Sequence, residues 1–239
     1  MVPTIEIGEL VDALAVERGD VVSLVGGGGK TTALFALGRQ LPGTVVLSTT
    51  TKMGSDRTDG HEPLVDPGRQ ELIEAIASRR VVLTWKDIDD HRALGYGSEE
   101  CAAWLDLADY VVLEADGSRR KPFKAPAAHE PVVPEVSTLL VACVGASAFD
   151  APIQSVCHRP EIVAEIAGCE PDQLLTAERL AAVLRSDVGS RKQCPANARF
   201  SVLLNQVTES HEAFVERLAE GLGVAIPIVS VAPFGPDGR

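Results

Sequence analysis

Ser23-Leu24-Val25-Gly26-Gly27-Gly28-Gly29-Lys30-Thr31-Thr32 is the stretch whose residue types bear most directly on chemistry. A polyphosphate calls for several backbone N–H groups aimed at it, and only glycine lets the main chain wrap that closely. A helix starting near Lys30 adds the positive end of its dipole, worth about 0.3–2 kcal/mol for an anion held there. In this reading Gly26, Gly27, Gly28, Gly29 and Thr32 cradle ATP or GTP, Lys30 neutralises the outer phosphates, and the Thr31 hydroxyl ligates Mg²⁺. The first glycine of G-x-x-x-x-G-K-[ST] would fall at Leu24, so the turn is a shorter G-x-x-G-K-T. A dinucleotide fingerprint fits less well. Its third glycine position is Thr31, and Ser48-Thr49-Thr50 offers no acid for a ribose.

Three further segments belong with this turn. Thr50, Thr51 and Lys52 follow an apolar run, with hydroxyls for Mg²⁺ or a γ-phosphate and an ammonium for a substrate anion. Tyr110-Val111-Val112-Leu113-Glu114-Ala115-Asp116-Gly117 reads as a Walker-B-like strand ending in carboxylates. Glu114 is taken as the metal-side group and Asp116 as its support or the base, though their order is open to reversal. Ser118-Arg119-Arg120-Lys121-Pro122-Phe123-Lys124 then places four cations where a γ-phosphate, its transition state or a phosphorylated second substrate needs them. His129, His158 and Arg159 are candidates for substrate contacts. Asn205 ends an apolar run where many GTPases read guanine, but Gln206 and Thr208 replace the lysine and aspartate of that motif, so strict GTP specificity is not expected.

Short apolar runs alternate with helix-period segments along the chain. Val21–Val25, Thr44–Leu47, Val81–Thr84, Tyr110–Leu113, Leu139–Val144, Phe200–Leu204 and Ile226–Val231 read as strands. Residues 7–16, 30–40, 71–78, 99–107, 161–167, 177–185 and 211–221 read as helices. Strands apolar on both faces, alternating with helices, predict an α/β fold: a mainly parallel sheet with helices on both faces, Rossmann-like and three-layered. Residues 54–67 read as a surface loop, and residues 116–137 as a loop too long to be a simple connector. The whole chain, 1–239, reads as a single domain, with a small helical subdomain about residues 145–198.

The formal charge of −12 argues against general affinity for nucleic acid or anionic membranes. A phosphate site must then be a local concentration of cations, and four of the six lysines (Lys30, Lys52, Lys121, Lys124) fall in the segments above. No run reaches the ~18 apolar residues that cross a bilayer, and no secretory signal is visible. Five cysteines without a C-x-x-C pair read as reduced, buried thiols, so a cytoplasmic setting is expected.

Taken together, GGGGKTT at 26–32, STTTKM at 48–53, LEADGSRRKPFKAPAAHEPVVP at 113–134, HRPE at 158–161 and LLNQV at 203–207 resemble the YqeC family, accessory proteins of selenium-dependent molybdenum hydroxylases. The resemblance implies a P-loop nucleotide-binding protein acting in maturation of those enzymes or of their molybdenum cofactor. It places Lys30, Thr31, Glu114 and Asp116 at the nucleotide and Mg²⁺, and Arg119, Arg120, Lys121 and Lys124 toward a second substrate such as a molybdopterin phosphate. Two other readings stay open: a non-catalytic carrier of nucleotide or pterin-nucleotide cofactor, and an ATP-dependent ligase similar to the Mur enzymes, which carry the same short turn.

Overall fold

The computed structural model describes residues 2–233. Its first half runs β1 (Thr4–Ile5), α1 (Leu10–Ala13), β2 (Val21–Gly26), α2 (Lys30–Gln40), β3 (Val45–Thr49), β4 (Lys52–Gly54), β5 (Leu64–Val65) and α3 (Arg69–Arg79). There follow β6 (Val81–Trp85), β7 (Asp87–Asp89), β8 (Arg92–Leu94), α4 (Ser98–Ala102), β9 (Tyr110–Glu114), β10 (Phe123–Lys124) and β11 (Leu139–Gly145). The last part holds α5 (Ile153–Val156), β12 (Cys157–His158), α6 (Pro160–Ala167), α7 (Ala177–Arg185), β13 (Arg199–Asn205), α8 (Glu212–Leu222) and β14 (Ile228–Val231).

Nine strands form one sheet in the order β1-β14-β13-β11-β2-β9-β3-β6-β5, and every neighbouring pair is parallel. Parallel strands joined through helices are covered on both faces, which is why they read as unbroken apolar runs. Side chains alternate between the two sides. Val22 and Leu24 pack with Leu34 and Leu37 of α2, whereas Val25 faces Val163, Leu180 and Leu218 of α6, α7 and α8. Val21 meets Leu72 and Ile76 of α3. The result is a three-layer α/β fold of P-loop type. Gly38 lets α2 lie close to the sheet, since a Cβ there would stand 2.8 Å from Leu47 Cδ1.

Residues 145–198 carry α5, β12, α6 and α7, and their apolar side chains share one core with Val144 and Val202 of the sheet. The structure departs from the sequence reading in several short elements. The helix expected over 7–16 is one 3₁₀ turn and the four residues of α1, and it stops where Ala15 adopts φ +50°. The loop expected over 54–67 contains β5, which pairs with β6. A small antiparallel sheet, β4-β8-β7, was not anticipated, because its three-residue strands are too short to show a period. Within the 116–137 loop, β10 pairs with β12. Among the described residues no helix is long and apolar enough to cross a membrane.

Because the large sheet is parallel, β2, β3, β9, β11 and β13 all end at one edge. Loops at that edge form the crevice where α/β proteins bind ligands.

Candidate functional site

At that edge the glycine turn joins β2 to α2, and its amides divide into two groups. Gly26 N–H donates to both Asp116 oxygens (3.1 and 3.0 Å), Gly27 N–H to Cys143 O (2.8 Å), and Gly28 N–H to Pro122 O (3.0 Å). These three are spent on holding the turn. The N–H groups of Gly29, Lys30, Thr31 and Thr32 have no protein acceptor among the described residues, and they open the 11-residue helix α2. A helix start with free amides is an anion site.

The glycines are sterically required. A Cβ on Gly27 would lie 2.3 Å from Pro122 O, and one on Gly28 would lie 2.9 Å from Gly145 Cα. Gly29 has φ +99° and presses on Asn205, whose Nδ2 donates to Gly28 O at 2.8 Å. Asn205 is therefore a buried clamp under the turn and does not line the cleft described below.

Lys30 is buried, with Nζ 2.6 Å from Gly26 O and 3.3 Å from Asp116 Oδ1. Burial alone pulls its pKa down, but Asp116 and Glu114 outweigh that and hold it above the ordinary lysine value. Register sets the two carboxylates apart. Glu114 stands between Leu24 of β2 and Thr49 of β3, and its carboxylate accepts from Thr31 Oγ1 at 2.5 Å. Burial raises the Glu114 pKa in spite of Lys30 and Thr31. A buried carboxylate short of compensating charge, next to a hydroxyl, is an oxygen pair able to hold a hard divalent cation. Among the described residues no three His, Cys, Asp or Glu side chains gather as a metal site. Asp116 instead lies beneath the turn, 3.1 Å from the buried Lys124 ammonium, which also meets Glu130 at 2.5 Å.

In front of the turn lies a cleft of about 970 Å³. Gly27 to Thr32 and Glu114 form part of its lining, and Lys30, Lys52, Arg57, Arg92, Arg119, Arg120 and Lys121 bring seven cations to it. Apart from Glu114, Asp56 is the one carboxylate of that lining. In a chain with 34 acidic and 22 basic residues this is a local inversion of charge. Arg119 and Arg120 hold consecutive left-handed conformations, φ +50° and +64°. Strain of that kind costs on the order of 1–3 kcal/mol per residue.

The remaining candidates lie off the cleft. Thr50 Oγ1 donates to Val132 O at 2.6 Å, and Thr51 N–H to Thr49 Oγ1 at 3.1 Å, so both fasten the end of β3. His129 is exposed. Arg159 donates to Glu130 at 2.7 Å, and burial with Arg159 and Lys124 lowers the His158 pKa. Cys143, behind the turn, is pushed up to about 12 by burial and is inert as a nucleophile.

A family model described as YqeC protein matches residues 22–161. The chain belongs to the YqeC family. A curated relative, "Uncharacterized protein YqeC" of Escherichia coli (strain K12), is 31% identical over 219 residues, covering 87% of this chain and 84% of that protein. No solved structure matches. The span matched to YqeC contains the turn, β9 and all seven cations of the cleft, whereas Asn205 lies beyond it.

Sequence reasoning missed Arg57, His91 and Arg92, which sit on or beside the small β4-β8-β7 sheet. No sequence signal marked them, because the strands beside them are three residues long, too short to show a period.

Proposed function

We propose that this chain binds ATP or GTP with Mg²⁺ on the turn from Gly26 to Thr32 and hydrolyses it or transfers its phosphoryl group. One observation carries the reading: the free amides of Gly29, Lys30, Thr31 and Thr32 open into a cation-lined cleft beside Glu114. In this scheme those amides bind the β-phosphate and the phosphates beside it, and Lys30 swings from Gly26 O to neutralise them. Thr31 and Glu114 hold Mg²⁺, directly or through water, as a centre that offsets phosphate charge. The strained Arg119–Arg120 pair presents guanidinium groups to charge building on the transferred phosphoryl oxygens. Asp116 fixes the turn and keeps Lys30 protonated.

Family membership supports an accessory role in general; that this role lies in maturing molybdenum hydroxylases or their cofactor is the wider part of the proposal. The test is calorimetric titration with Mg·ATP and Mg·GTP, with and without chelator, followed by phosphate release. Wild type should bind in a Mg²⁺-dependent way, Lys30→Ala should lose binding, and Thr31→Ala should lose the Mg²⁺ dependence. Unchanged affinity in both variants refutes the site.

A further inference from the structure

The geometry points to a second anion site in the same cleft, on the β4–β8 ribbon, that seats a small phosphate-bearing co-substrate beside the nucleotide. This deepens the nucleotide reading and rests on it. Ribbon register is the first argument. β4 and β8 pair antiparallel, with Lys52 opposite Leu94, Met53 opposite Ala93 and Gly54 opposite Arg92. Side chains alternate across a strand, and directly paired residues share a face. Met53 and Ala93 are buried with the core, Met53 also touching the cleft, while Lys52, Gly54 and Arg92 lie on the opposite face of the ribbon and line the cleft, with Lys52 and Arg92 exposed. Gly54 contributes no side chain, which leaves room there for Asp56 and Arg57.

The ribbon is also fixed in place. Tyr96 N–H donates to Thr49 O at 3.0 Å, and a Cβ on Gly95 would stand 2.4 Å from Thr49 O, so the returning chain lies directly on the end of β3. β3 is two strands from β2, with β9 between them. At the usual spacing that sets the ribbon roughly 10 Å to one side of the phosphate turn. The nucleotide's own phosphates are served by the free amides, Lys30 and the 119–120 pair, so these cations have a different anion to meet.

Charge is the second argument. Among the described residues Lys52 and Arg92 form no ion pair, even though Asp89 lies opposite Arg92 in the register. Arg57 has Asp56 alone, at a loose 3.7 Å. His91 adds a further donor to the same lining. Cations left unneutralised in so acidic a chain, on a rigid wall of a cleft large enough for two small ligands, mark a phosphate-binding surface.

Pyrophosphate is the probe. Titrated into wild type saturated with Mg·AMP-PNP, it should bind saturably. Lys52→Ala and Arg92→Ala should each weaken that uptake on the order of tenfold or more, with Mg·AMP-PNP affinity within about threefold of wild type, the size expected of a rim charge. Pyrophosphate that only displaces AMP-PNP, or uptake indifferent to both substitutions, overturns the proposal. Should the protein bind no nucleotide, the titration is repeated on unloaded protein. Uptake sensitive to Lys52 and Arg92 but not to Lys30→Ala then upholds the second site without the first, and the opposite pattern rejects it.

Discussion

Replacing Asp116 with alanine removes the acceptor of the Gly26 N–H and a charge from between two buried ammonium groups. Asp116 is 2% exposed, so water cannot take its place. Removing one partner of a buried ion pair costs about 3–5 kcal/mol. Lys30 keeps Gly26 O and Lys124 keeps Gly117 O and Glu130, which softens the loss, while the orphaned Gly26 N–H adds about 1–3 kcal/mol. A net loss of ~3–5 kcal/mol corresponds to a fall in Tm of roughly 6–20 °C for a chain of this size. Differential scanning calorimetry reads it directly. Asp116→Asn keeps an acceptor for Gly26 and should fall by less. An Asp116→Ala protein that melts with wild type yet turns over no nucleotide would refute this reasoning and move Asp116 from scaffold to chemistry.

Other predictions concern the carboxylate, the glycines and the thiols. Burial raises the Glu114 pKa above 4.5, so the folded chain holds that proton more tightly than the unfolded one; this stabilises below pH 4.5 and fades as pH rises through the raised value. A divalent cation bound at Glu114 would have to displace that proton, so Mg²⁺-dependent affinity should climb with pH over that window and be flat in Glu114→Gln, as calorimetry at a series of pH values will show. Gly27→Ala drives a Cβ into Pro122 and Phe123 backbone and should cost about 1–3 kcal/mol by thermal denaturation, whereas Gly117→Ala meets nothing within 4 Å and should melt near wild type. Native iodoacetamide labelling followed by mass spectrometry should modify the half-buried Cys169 and Cys194 before Cys101, Cys143 and Cys157, which are buried and pushed up to about 12. Early labelling of Cys143 would mean the turn opens.

Legibility from sequence followed element length and burial. α2 and α7 occupy the residues their periodicity indicated, and β2, β9 and β11 stand out because strands buried on both faces have no polar positions to interrupt them. β4, β7 and β8 were illegible, since Asp87–Asp89 looks like a polar loop until Arg92–Leu94 is seen to pair with it. Within the site, residue types named the groups but not their bonds. Gly26 to Thr32 looked like one set of phosphate donors, and only the pairing with Asp116, Cys143 and Pro122 separates the amides that build the turn from those left free. The sequence favoured Glu114 over Asp116 for the metal side but left their order open; register sets Glu114 between Leu24 and Thr49, whereas Asp116 is tied up by the Gly26 N–H and Lys124. Asn205 looked suited to a base because its motif does so elsewhere, yet here it fills the space behind Gly29.

The turn's supports also come late in the chain. Pro122 and Cys143 anchor two of its amides, Gly145 backs Gly28, and Asn205 closes behind Gly29. β1, at the other extreme, pairs with β14 more than two hundred residues later. During synthesis at ~5–20 residues per second, the glycine motif leaves the ribosome early and waits for its walls. A nascent chain halted before Gly145 carries every residue of the motif but lacks the backing of Gly145 behind Gly28 and of Asn205 behind Gly29.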